Sequence, residues 1–118
     1  MDVVFVDPDN GLLVPSAEGT GKENKFVTVK ELADYYKQGS SVIYYQHKAR
    51  RPDSFYTDQH THLLERPEFT GASGFGLKFR TTSQRYYFCI LQAQHEEIVR
   101  RCADNIISSA WKEHFSVL

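Results

Sequence analysis

The feature that most constrains this fold is a pair of short, unbroken apolar runs with one helical pattern between them. Val3-Val4-Phe5-Val6 and Val42-Ile43-Tyr44-Tyr45 are apolar at consecutive positions. A strand with one wet face alternates apolar and polar residues, whereas a continuous run suits a strand covered on both faces, as in a parallel sheet between helices. Between the runs, Thr28 stands three residues before Glu31, the spacing of a reciprocal N-terminal cap. Val29, Leu32, Ala33, Tyr35 and Tyr36 then give a helix an apolar face, and Gly39 supplies its stop. Strand, helix and strand with short joints make a βαβ unit. Such crossovers are right-handed, so the two strands are expected side by side and parallel.

The rest of the chain extends that unit. The stretch PSAEGTGKENK, residues 15–25, reads as a polar loop and KARRPDS as a basic one. Asp53 or Ser54 is expected to cap a second helix that ends near Leu64. FGLKFRT alternates apolar and polar residues, and RYYFCILQA is apolar through its centre. The short turn between them predicts an antiparallel hairpin with the second strand interior. A closing helix is expected from His95 to His114, with Ile98, Val99, Cys102, Ile106, Ala110 and Trp111 on one stripe. The expected fold is α/β: a four-stranded mixed sheet in the order 1-2-4-3, its fourth strand antiparallel, with helices on both faces. The 118 residues suffice for one domain, residues 1–118, and not for two.

Composition narrows the classes of function. A net charge of −1 argues against a protein that coats nucleic acid through global charge, and leaves room for a local basic patch. Cys89 and Cys102 match no metal-binding spacing. Both are read as buried thiols in a reducing compartment. No apolar window is long enough to span a membrane, and no secretory leader is visible, so a cytoplasmic location is expected.

The order of elements is similar to the second half of a class I, Rossmann-like methyltransferase. In that family a strand ends in an Asp-Pro-type motif, another strand follows after a helix, and an antiparallel hairpin closes the sheet. Asp7-Pro8-Asp9-Asn10 stands where amino-methyltransferases carry Asp-Pro-Pro-Tyr. Asp9 and Asn10 replace the proline and the aromatic that stacks on a flipped base, so that platform is missing. The family's glycine-rich cofactor loop belongs to a first half with no counterpart in these residues. S-adenosylmethionine is therefore not expected to bind this chain alone, and the chain is read as either whole or part of a longer reading frame. The stretch DPDNG, with a later strand ending YQH, also resembles a group of uncharacterised bacterial and phage proteins. What the resemblance implies is a non-catalytic or remnant methyltransferase-like binding domain. It would contact nucleic acid or a protein partner through a strand-end crevice and an open sheet edge. In the family's sheet the Val3–Val6 strand has a neighbour on each side; here it lacks one, so a homodimer, a partner protein, or cover from the 15–25 loop is expected at that edge.

The candidate chemistry gathers at the strand ends. Asp7 and Asp9 follow the first strand, where α/β proteins bind ligands. They could hold a divalent metal, or they could bond local amides to build the turn. Gln46, His47 and Lys48 end the neighbouring strand. Pro8-Asp9 with Gln46-x-Lys48 resembles a PD-(D/E)xK nuclease. There carboxylates hold Mg²⁺ and a lysine polarises water, which would make Asp7, Asp9, Gln46 and Lys48 catalytic. A mobile-element interaction or inhibitor protein is a third reading. Asn10, His47, Lys48, Arg50 and Arg51 are the expected nucleic-acid contacts. Lys78, Arg80 and Arg85 could widen that patch, and Tyr44, Tyr45, Tyr86 and Tyr87 interleave with it.

Other patterns carry less. DPDNGLL lacks the threonine of a HAD-type phosphatase loop and has Gly11 in its place. TGASGFG, residues 70–76, imitates a dinucleotide loop without a preceding strand or following helix, so its glycines are read as a flexible loop. His60 and His62, with Asp58, sit where a helix would point them apart, and both are read as solvated.

Overall fold

A βαβ unit does open the sheet. In the computed structural model, described over residues 3–7, 11–12, 26–48, 50–80, 83–108 and 114–118, β1 is Val3–Val6 and two-residue strands β2 and β3 are Gly11–Leu12 and Phe26–Val27. Helix α1 is Val29–Lys37, β4 is Ser41–His47 and α2 is Asp53–Leu64. β5 is Gly76–Arg80, β6 is Gln84–Ile90, α3 is Glu96–Ser108 and β7 is Phe115–Val117. β1 and β4 are parallel neighbours, with Val3 opposite Ser41 and Val6 opposite Tyr44. β2 and β3 pair separately, also in parallel.

The main sheet has five strands rather than four, in the order β1-β4-β6-β5-β7. β6 lies antiparallel between β4 and β5. The added strand lies just beyond the stretch expected to be helical. α3 is described as far as Ser108, and Phe115–Val117 runs antiparallel along β5, pairing Phe79 with Phe115 and Leu77 with Val117. That pairing satisfies a row of β5 backbone groups that would otherwise be an open edge. At the opposite side, β1 is the edge strand and pairs with β4 alone among the described residues.

Helices cover both faces. Leu32 and Ala33 of α1 and Tyr56 and Leu63 of α2 pack with Val42, Tyr44, Tyr86, Phe88 and Ile90 on one face. Ala103 of α3, with Val99 and Ile107, packs on Ile43, Leu77, Cys89 and Leu91 on the other. Tyr44, Tyr86 and Phe88 are essentially inaccessible to solvent. Each such ring contributes roughly 1.5–3 kcal/mol by leaving water. Of their neighbours in sequence, Ile43 and Cys89 point to the opposite face and pack with α3.

Several local expectations hold and several shift. Thr28 Oγ1 accepts from the Glu31 amide at 3.1 Å and reaches the Glu31 carboxylate at 3.4 Å. Gly39 follows α1 at φ +91°, a conformation other residues avoid. Neither Asp53 nor Ser54 caps α2: Pro52 holds the cap position without a side-chain bond, and Asp53 opens the helix with its carboxylate turned elsewhere. The buried stripe of α3 is Val99, Ala103 and Ile107, while Ile98, Cys102 and Ile106 face outward. Ala110 and Trp111 lie outside the described residues. Cys102 is thus exposed, and Cys89 alone is a buried thiol, pushed up to about 12 by desolvation. Arg100 on α3, 4.9 Å from the Phe75 ring, opposes that rise.

The loop entering β5 is not loose. Residue 73 bridges Leu91 in both directions, N–H to carbonyl, at 3.1 and 2.7 Å. A Cβ on Gly74 would lie 2.2 Å from the Cys89 carbonyl oxygen and about 3 Å from the His60 ring. Glycine is there for close packing. His60 itself is buried rather than solvated, stacked on Phe88 and 2.8 Å from the Cys89 carbonyl through Nε2. Burial holds its pKa below the usual histidine value, partly offset by that hydrogen bond. His62 is exposed. No helix is long and apolar enough to cross a membrane among the described residues.

Candidate functional site

The parallel pairing of β1 and β4 brings their tips to one end of the sheet. β5 ends and β6 begins at that same end, where His47 faces Arg85 and Arg80 faces Gln84. Six cationic side chains collect there: Lys48, Arg50, Arg51, Lys78, Arg80 and Arg85. Among the described residues at that end, Asp7 and Asp53 oppose them. A chain of net charge −1 therefore carries a local excess of positive charge.

The pleat divides these residues between two faces. On the α2 face, Asp53 is the hub. Lys78 Nζ donates to its Oδ2 at 2.7 Å, and Lys48 Nζ reaches Oδ1 at 3.4 Å. The Tyr86 hydroxyl donates to the same Oδ1. The hydrogen bonds from Lys78 and Tyr86 bring the Asp53 carboxyl down to about 2, against some opposing desolvation. Burial and the Asp53 charge push Tyr86 up. α2 thereby keeps its first residue tied to β5 and β6. The basic loop before it is left outside, with Arg50 and Arg51 exposed and Arg51 resting 4.9 Å from the Phe55 ring.

The other face is built differently. α3 covers only part of it, over Ile43, Cys89 and Leu77. Toward the basic end, Tyr45 and Tyr87 stand opposite each other, ring centroids 5.9 Å apart. Phe5 of β1 lies 6.0 Å from Tyr87 and is 54% exposed. Arg85 caps the row, its guanidinium carbon 5.7 Å from the Phe79 ring. Arg85 has no ion pair among the described residues; its Nη2 bonds the Ser83 hydroxyl, and its Nε is shielded without an acceptor. Tyr45 is raised by burial, and by Tyr87 and Asp7, while Arg85 lowers it.

The expected site residues therefore separate. Asp7 is exposed and acts on Tyr45. Gln46 is buried on the opposite face, its Nε2 donating to the His47 carbonyl at 3.1 Å. Lys48 shares that face and engages Asp53. Asp9 and Asn10 lie outside the described residues, so a metal held by Asp7 and Asp9 is not described. No group of three or more His, Cys, Asp or Glu side chains suited to a metal ion occurs among the described residues. The four tyrosines do not interleave on one surface: Tyr44 and Tyr86 are core, and Tyr45 and Tyr87 are half-buried on the opposite face. Strand parity in the sequence already implied that division.

One further pair has the look of a nucleophile and base. Ser41 Oγ lies 2.7 Å from His95 Nδ1. Ser41 is fully buried, and its oxygen accepts the Gln92 amide at 2.8 Å. The Gln92 side chain donates to the carbonyls of Tyr36 and Ser40. These bonds close the far end of β4 onto the end of α1, away from the cationic end, and the serine is enclosed in the fold.

Comparison with protein-family models, curated proteins and solved structures finds no match for this chain.

Proposed function

We propose that this chain is a non-catalytic, methyltransferase-like binding domain that contacts the phosphate backbone of nucleic acid through the basic end of its sheet. The observation that carries the reading is the convergence of Lys48, Arg50, Arg51, Lys78, Arg80 and Arg85 on strand tips that also bear His47. Strand tips are where α/β sheets bind ligands, and phosphate contacts come first from lysine and arginine. Asp53 occupies Lys48 and Lys78, so the exposed pair Arg50 and Arg51 makes the main new contacts. The methyltransferase likeness draws support from the parallel β1–β4 pair and from β6 inserted antiparallel between β4 and β5. The reading needs no catalysis. Gln46 is turned into its own chain and Lys48 is tied to Asp53, so neither is offered to a substrate.

Fluorescence anisotropy with labelled oligonucleotides tests this. Affinity should fall steeply between about 50 and 200 mM salt, because bound counterions are released. Replacing both Arg50 and Arg51 by alanine should weaken binding to all sequences alike and flatten the salt slope by about 2. Binding that ignores salt, or a slope unchanged by the double substitution, refutes the reading.

A further inference from the structure

Among the described residues, the part of the sheet face that α3 does not pack adjoins the cationic end directly. Phe5, Tyr45 and Tyr87 lie on three neighbouring strands, each pair with Tyr87 about 6 Å apart between ring centroids. Phe79 continues the row on β5 beneath Arg85. Such a surface is unusual for a solvated sheet, which would carry small polar or charged residues there. On the same face the rings are flanked by Ile43, Cys89 and Leu77, which α3 packs. They are therefore presented rigidly and lose little freedom when covered.

We infer that this face is a stacking platform for the unpaired bases of a single-stranded nucleic acid, with Phe5, Tyr45 and Tyr87 receiving bases and Arg85 and His47 flanking the backbone. The inference rests on the backbone contact proposed above and adds the class of ligand. Three points select this occupant. Aromatic rings on adjacent strands offer π-faces to bases that have left a duplex, whereas paired bases in a helix keep theirs stacked. Arg85 is a cation without a carboxylate partner among the described residues, so it is available to a phosphate. The platform runs into the cationic end with no intervening element: Tyr45 and Tyr87 are followed on their own face by His47 and Arg85. An apolar protein partner would gain from the rings but would bury Arg85 and His47 at a cost.

The test compares a labelled oligothymidylate with a duplex of the same length, using the whole chain. Variants are Tyr45→Leu and Tyr87→Leu, with Tyr45→Phe and Tyr87→Phe as controls that keep the ring. Circular dichroism and thermal melts establish folding for each. The single strand should bind more tightly than the duplex. Each leucine variant should lose roughly 5- to 150-fold in affinity for the single strand, while the phenylalanine variants keep it. Stacking is read independently by NMR, as ring-current shifts of the aromatic protons of Tyr45 and Tyr87 on titration with the oligothymidylate.

Duplex bound as tightly as single strand overturns the platform. So do leucine variants that bind like the parent while alanine at Arg50 and Arg51 still weakens binding; backbone contact then survives alone. Absence of binding to either oligonucleotide overturns both readings. Concentration-dependent self-association abolished by Tyr87→Leu assigns the face to a second copy and likewise overturns the platform.

Discussion

Removing the Asp53 carboxylate tests whether the hub on the α2 face fastens that helix to the sheet. Three donors meet on it: Lys78, Lys48 and the Tyr86 hydroxyl. The carboxyl falls from 3.8 to about 2 on folding. At 1.36 kcal/mol per pKa unit that is roughly 2.4 kcal/mol before screening. The Asp53 side chain is 38% exposed, so water screens the interaction and about 1 kcal/mol is the better figure. Asp53→Ala adds a second cost, because the buried Tyr86 loses the acceptor for its hydroxyl. An orphaned buried polar group costs about 1–3 kcal/mol. Together these give a loss of about 2–4 kcal/mol in urea unfolding at neutral pH. Tyr86→Phe removes the orphaned hydroxyl, so the double variant should be more stable than the two single losses added together, by about 1 kcal/mol. The pH dependence has a definite sign. A depressed carboxyl stabilises above its unfolded value and ceases to do so as pH falls through its folded value. The stability gap between the parent and Asp53→Asn should be full above about pH 4 and close as pH drops toward 2. A loss below about 0.5 kcal/mol for Asp53→Ala, or strict additivity with Tyr86→Phe, would refute the hub.

Two other outcomes follow from the interior. Gly74→Ala forces a Cβ against the Cys89 carbonyl oxygen, at 2.2 Å before relaxation, and should destabilise by about 2–3 kcal/mol in the same urea assay. His60 binds its proton less readily when folded, so the unfolded chain takes up the extra proton below about pH 6.5; stability should fall from pH 7 toward pH 5, and His60→Gln should flatten that slope.

The sequence by itself determined the elements whose signals are local. The Thr28–Glu31 cap needs four residues to be seen, and the unbroken runs at Val3–Val6 and Val42–Tyr45 mark strands, although Phe5 stays 54% exposed where cover on both faces was expected. A helix between two such runs left parallel pairing as the simple outcome, and Val6 does stand opposite Tyr44. What only tertiary structure decided depends on contacts distant in sequence. Asp53 looked like a helix cap, yet Lys48 just after β4, Lys78 of β5 and Tyr86 of β6 engage its carboxylate instead of the backbone amides. His60 looked like a solvated helix residue until Phe88 and the Cys89 carbonyl enclosed it. Phe115–Val117 carried no strand signal of its own beyond the expected helix, and it forms a strand by pairing along β5. Hydrophobic periodicity states which residues avoid water; it does not state which neighbour shields them. For that reason the choice between Tyr44 in the core and Tyr45 half-buried on the other face waited on which helices pack each side of the sheet.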